Sequence, residues 1–143
     1  MKRILSLLLT LIFVSSLLAG CGDNSPAGTY TLETIGGKTP VEWMKESVNG
    51  SEKGVESLLE LFGISKDDLN DNFYTLTLEK DGKALIDSAY GSMYAGVAAR
   101  EGTWSLEGEV LTVSVDGETE IFTFRDGVLT REFNGEEGVF KKK

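Results

Sequence analysis

The chain has 143 residues, with 14 basic and 23 acidic side chains, no histidine and one cysteine. The missing histidine removes the commonest general base and transition-metal ligand, and a lone cysteine leaves no disulfide within the chain. An acidic balance repels nucleic acid and anionic lipid headgroups, so neither is expected as a partner; with no histidine and no free cysteine in the domain, no metal of the usual types is expected, and no cofactor.

Lys2 and Arg3 open the chain, an uncharged stretch runs from Ile4 to Leu18, and Leu18-Ala19-Gly20 leads into Cys21. This is the layout of a secretion signal, with a cysteine where cleavage would fall. The stretch is short of the roughly 20 apolar residues of a spanning helix. The segment resembles the lipobox of bacterial lipoproteins, which implies cleavage before Cys21 and a diacylglyceryl group on its sulfur. Two acyl chains hold a protein stably on a membrane, at about 0.8 kcal/mol per buried methylene. Residues 1–20 are therefore read as a signal peptide, 21–27 as a lipidated tether and 28–143 as one domain. Loss of Lys2 and Arg3 with the leader leaves 12 basic residues against 23 acidic ones, a net charge of −11. The expectation is a monomer outside the cytoplasm, held to a bacterial membrane by its lipid.

From Gly28 to Glu33 apolar and polar residues alternate, which predicts a strand with Tyr30 and Leu32 on one face. Thr39-Pro40-Val41-Glu42 has the form of a capping box with proline at the first helical position. Val41, Met44 and Val48 then share a face. A second helix is predicted from about Ser51 to Phe62, with Val55, Leu58, Leu59 and Phe62 at helical spacing and Gly63 as its stop. Ser65 to Asp71 reads as a further short turn of helix. From Phe73 onward the pattern is strands joined by tight turns, at Asp81-Gly82, Glu107-Gly108, Asp116-Gly117, Asp126-Gly127 and Asn134-Gly135. Strands are expected near 74–78, 83–89, 93–98, 101–106, 109–115, 118–124, 127–133 and 136–141, with 89–99 open between strand and loop. The regular spacing of turns predicts a mainly β, antiparallel up-and-down barrel of about eight strands with a helical insert at about 40–71.

The order of lipobox, Gly28-Thr29-Tyr30, helical insert, Gly102-Thr103-Trp104-Ser105 and Gly138-Val139-Phe140-Lys141 is similar to the lipocalin-like domains of small bacterial lipoproteins. The likeness covers about residues 27 to 142. It implies a barrel with helices over one opening. Lipocalins often lay a basic side chain from the last strands across the first-strand aromatic. Here that implies Arg131 against Tyr30 or Trp104, a cation–π contact of about 0.5–2 kcal/mol.

The predicted inward set is Tyr30, Leu32, Tyr74, Leu76, Leu78, Trp104, Leu106, Leu111, Val113, Val115, Phe122, Phe124, Leu129, Phe133 and Phe140. Eight-stranded barrels either fill with their own side chains or hold one small ligand. Tyr30, Tyr74, Trp104, Phe122 and Arg131 are the candidate lining of an apolar ligand site. Asp67, Asp68 and Asp71 lack the ligand pattern of a calcium loop and read as helix-end and solvated charges. Asp87 is the one strand carboxylate considered for the interior, without a partner acid. No nucleophile–base pair or phosphate-binding glycine loop is present, so catalysis is not expected. Two functions stay open: binding of a small apolar ligand in the barrel, or interaction with an envelope or surface protein through a helical insert bearing Trp43.

Overall fold

The computed structural model describes residues 25–47, 52–88 and 99–143. Cys21, the signal peptide and the expected strand at 93–98 lie outside them. Eight antiparallel strands among the described residues close into an up-and-down barrel in sequence order: β1 (Gly28–Ile35), β2 (Thr75–Leu78), β3 (Lys83–Asp87), β4 (Ala99–Glu107), β5 (Val110–Val115), β6 (Glu118–Arg125), β7 (Val128–Phe133) and β8 (Glu136–Lys142). β3 pairs directly with β4, from Lys83↔Thr103 to Asp87↔Ala99. The eight strands that close the barrel thus all lie among the described residues.

Tight turns set the register. Asp116, Asp126 and Asn134 take φ of 50–52°, each followed by a glycine at positive φ, the backbone of a two-residue hairpin whose twist matches its strands. β1 departs from strict alternation. Its pairing with β8 shifts between Leu32 and Thr34, and this bulge lets Leu32 and Ile35 both point inward although three residues apart. The strand accordingly runs two residues beyond the expected Glu33.

Three helices fill the connection from β1 to β2: α1 (Pro40–Ser47), α2 (Glu52–Phe62) and α3 (Lys66–Asn72). The capping box forms as the sequence predicts, with Thr39 N–H donating to Glu42 Oε2 at 2.9 Å and Glu42 N–H to Thr39 Oγ1 at 3.4 Å. At α3, Ser65 Oγ accepts from Asp68 N–H at 3.0 Å. Gly63, at φ 65°, ends α2 in the left-handed conformation.

Trp43 fixes this insert to the end of the barrel where β1 and β7 finish. Its indole meets Phe73 and Phe133 edge-on, with centroids 6.5 Å away in both cases. Asn70 Oδ1 accepts from Val41 N–H at 3.0 Å and ties α1 to α3. The outward positions Thr119, Thr123, Arg125, Glu137 and Lys141 are exposed, as is the apolar Ile121. Among the described residues no helix is long and apolar enough to cross a membrane.

Candidate functional site

The barrel interior is filled across its middle. Phe140 lies edge-on to Tyr74 at 5.3 Å and to Phe122 at 5.5 Å, and Phe133 stacks on it at 6.2 Å. Tyr30, Leu76, Leu111, Leu129 and Phe140 keep no solvent-accessible surface. A cavity roomy enough for one water would leave accessible surface on its lining, so these side chains touch one another instead.

The five candidate ligand residues separate into two groups. Tyr30 and Trp104 lie toward the end where β1 begins, which we call the base. There Tyr30 Oη donates to the carbonyl of the buried Pro26 at 2.7 Å, and Trp104 Nε1 donates to Glu79 O at 2.8 Å. Tyr74, Phe122 and Arg131 lie in the other half, near the helices. Lys142, rather than Arg131, covers the Tyr30 ring, with Nζ 5.8 Å from its centroid. Arg131 is on the inner face as alternation requires, but its guanidinium lies over Phe133 at 5.2 Å and Phe122 at 5.6 Å. Asp87 is exposed, on the opposite face of β3 from the buried Ala84 and Ile86.

Beneath the helical end sits a charged cluster that the candidate residues only partly anticipate. Glu120, on the inner face of β6, accepts from Arg131 Nη1 at 2.5 Å and from Arg100 Nη2 at 3.3 Å. Tyr74 Oη donates to the same Glu120 Oε2. The Glu120 side chain is 13% exposed, against 27% for Arg131 and 29% for Arg100. One carboxylate thus answers two guanidiniums and a phenol, all charge-assisted contacts. Burial, and then the Glu120 charge, push the Tyr74 phenol far above its ordinary range. Burial also raises that of Tyr30.

Alternation contained the signal for Glu120, since it stands two residues before the inward Phe122. Arg100 was hidden because the expected strand began at 101, whereas β4 begins at Ala99. Gly138 completes the arrangement. It faces Arg131 across β7 and β8, and a Cβ there would lie 2.4 Å from the Phe133 ring that carries the guanidinium.

Outside the barrel, α2 leaves two large apolar side chains uncovered, Leu61 at 77% and Phe62 at 48% exposure. Between the end of α2 and the start of α3 lies an open groove of about 430 Å³, lined by Glu56, Leu59, Glu60, Gly63, Ile64, Ser65 and Lys66. Trp43, expected to present itself on this insert, is buried at 9% exposure. Among the described residues no group of three or more acidic or sulfur side chains is placed to hold a metal.

Fold and site together define an eight-stranded barrel with a filled aromatic interior, a charged cluster under a helical cap and a plugged base. No family model matches the chain, and no curated protein matches it. One solved structure, a protein of the DUF4847 family from Bacteroides vulgatus, is similar at 12% identity, with 82% of this chain and 94% of that chain covered and a TM-score of 0.49.

Proposed function

We propose that this protein is a lipid-anchored, extracytoplasmic, non-catalytic lipoprotein that acts as a protein-interaction module, with the barrel as a solid scaffold for the helical insert. The observation that carries this reading is the ring-to-ring contact of Tyr74, Phe122, Phe133 and Phe140 across the interior. It leaves the middle of the barrel without room for an apolar guest. The insert then offers Leu61 and Phe62, not Trp43, as anchors for an envelope or surface protein, since they are the apolar side chains that a partner would remove from water. The leader and Cys21 support the anchoring and the location, and the sequence supports a role without catalysis.

The test has two arms. A fluorescent fatty-acid probe titrated into the mature domain is expected to show no saturable site; one-site binding abolished by Trp104→Ala would overturn the scaffold reading. A photo-crosslinking amino acid at position 61 in the producing bacterium is expected to give a discrete adduct that the same probe at Thr123 does not. Equal, diffuse labelling at both positions would count against the insert as the docking face.

A second reading keeps a small ligand but moves it to the mouth, favoured by the partly exposed Arg100 and Arg131 beside aromatic rings. Binding of an anionic amphiphile that Arg131→Gln weakens tenfold or more would establish it over the first.

A further inference from the structure

Charge is divided along the barrel axis. At the base, the turns at 79–82, 107–109 and 125–127, the start of β3 and the end of β8 bring together Lys80, Lys83, Arg125, Lys142 and Lys143 with Glu79, Asp81, Glu107, Glu109 and Asp126, so these segments are formally neutral and the tether adds the single acid Asp23. At the opposite end the three helices alone carry eight acidic residues against Lys45, Lys53 and Lys66. The acidic excess of the chain therefore lies toward the helices, away from the base.

The base is also where the chain arrives from Cys21. Pro26 is buried there under the Tyr30 hydroxyl. Two lysines bracket this entry point. The Lys142 side chain crosses Gly28 so closely that a Cβ would come 2.2 Å from its Cε. The Lys143 N–H donates to Thr29 O at 2.9 Å. Neither ammonium has an ion-pair partner among the described residues, whereas Lys83 is within reach of Asp81 at 3.6 Å and Arg125 is paired with Glu109 at 2.6 Å.

Reach decides what these lysines can touch. The residues between Cys21 and Pro26 span at most about 17 Å when fully extended. The field of an anionic leaflet decays over about 8 Å at physiological ionic strength. A nine-residue strand such as β4 adds about 30 Å along its own direction, which carries the helices well beyond that field.

We infer that the base is a membrane-facing surface on which Lys142 and Lys143 contact anionic phospholipid headgroups, holding the barrel upright with its acidic helical end outward. The inference rests on lipid anchoring at Cys21. It commits to a lipid surface because tether exit and unpaired cations coincide at one end, while the other end would be repelled. Each lysine close to such a surface contributes about a fivefold factor, so the two together favour the upright pose about 25-fold. The acyl chains supply residence and the lysines supply orientation.

The full-length chain, processed in bacteria and reconstituted in phosphatidylcholine vesicles with or without phosphatidylglycerol, provides the test. A fluorophore is placed on Ser105→Cys near the base or Ser57→Cys on α2, with a rhodamine lipid as acceptor. On phosphatidylglycerol vesicles, energy transfer from position 105 is expected to exceed that from position 57. High salt, or Lys142→Gln with Lys143→Gln, is expected to shrink the difference without changing flotation. Equal transfer from the two positions, greater transfer from 57, or the same difference on pure phosphatidylcholine would overturn the inference while leaving the anchor standing. Failure to float with neutral vesicles would overturn the anchor reading itself, and this one with it.

Discussion

Removing the Glu120 carboxylate is the most informative perturbation of this barrel. Glu120→Ala leaves the Arg131 guanidinium without a counter-charge, Arg100 with only the exposed Glu118 at 3.7 Å, and the Tyr74 hydroxyl without its acceptor. Stranding one member of a fully buried pair costs about 3–5 kcal/mol. Here the arginines keep 27–29% of their side-chain surface, so water recovers part of that, and a loss of about 2–3 kcal/mol is expected. Glu120→Gln keeps an acceptor but not the charge and is expected to fall between wild type and alanine. Arg131→Leu removes the cation from Phe122 and Phe133 but leaves Glu120 paired with Arg100, at about 1–2 kcal/mol. The double variant, Glu120→Ala with Arg131→Leu, is expected to cost less than the sum of its singles by about 1–2 kcal/mol, because Glu120 and Arg131 then no longer strand each other. Urea unfolding of the mature domain followed by tryptophan fluorescence measures all four. A cost for Glu120→Ala below about 0.5 kcal/mol, the range of an ordinary surface change, or strictly additive singles, would refute the cluster as one coupled unit.

Alkaline pH is expected to unfold the domain through Tyr30 and Tyr74. Burial raises both phenols, so the fold favours the neutral form. Stability is retained below the ordinary value of about 10 and falls as pH rises above it, by up to about 1.4 kcal/mol per pH unit per group; Tyr74→Phe should reduce that slope, and an unchanged slope would contradict the assignment. Gly102→Ala would place a Cβ 2.1 Å from the Ser114 carbonyl oxygen, forcing β4 from β5. Gly138→Ala meets mainly the Phe133 ring, which can turn aside. Both are expected to destabilise, at about 1–3 kcal/mol for overpacking, with Gly102→Ala the worse; thermal melts showing the reverse order would refute the argument. On α2, Leu59→Ser is expected to cost about 3 kcal/mol as a buried leucine. Phe62→Ser is expected to change the melt of the isolated domain by less than about 0.5 kcal/mol, and equal costs would mean that Phe62 is covered.

Much of the architecture was legible because hairpin turns carry their own chemistry. Asp116-Gly117, Asp126-Gly127 and Asn134-Gly135 mark three strand reversals wherever the rest of the chain goes, and period-two alternation then sorts Leu111, Val113, Phe122 and Phe140 inward. Alternation fails where the backbone adds a residue, so Ile35 was missed behind the β1 bulge. Arg100 was lost because its strand begins earlier than expected. Arg131 was placed on the correct face but given the wrong ring, because the partner depends on where β6 and β8 stand along the barrel. No local pattern states that stagger. Trp43 was read as surface because helical spacing tells which residues share a face, but not which face the barrel covers.

The overhang of α2 is where fold and proposed function meet. Val55, Leu59 and Phe62 share one helical face at spacings of four and three, and the first two are buried at 0% and 5% exposure while Phe62 is 48% exposed. The apolar stripe therefore continues past the rim that covers it. A stripe built only to seat the insert could have ended at Leu59, because Trp43, Met44 and Leu69 already bury the contact between helices and barrel. Phe62 is only half covered, and the neighbouring Leu61 still less, so extending the stripe this far adds little to the packing of the isolated domain. It leaves apolar surface at the end remote from the base, where a long acidic face surrounds it and where docking of a second protein would remove it from water.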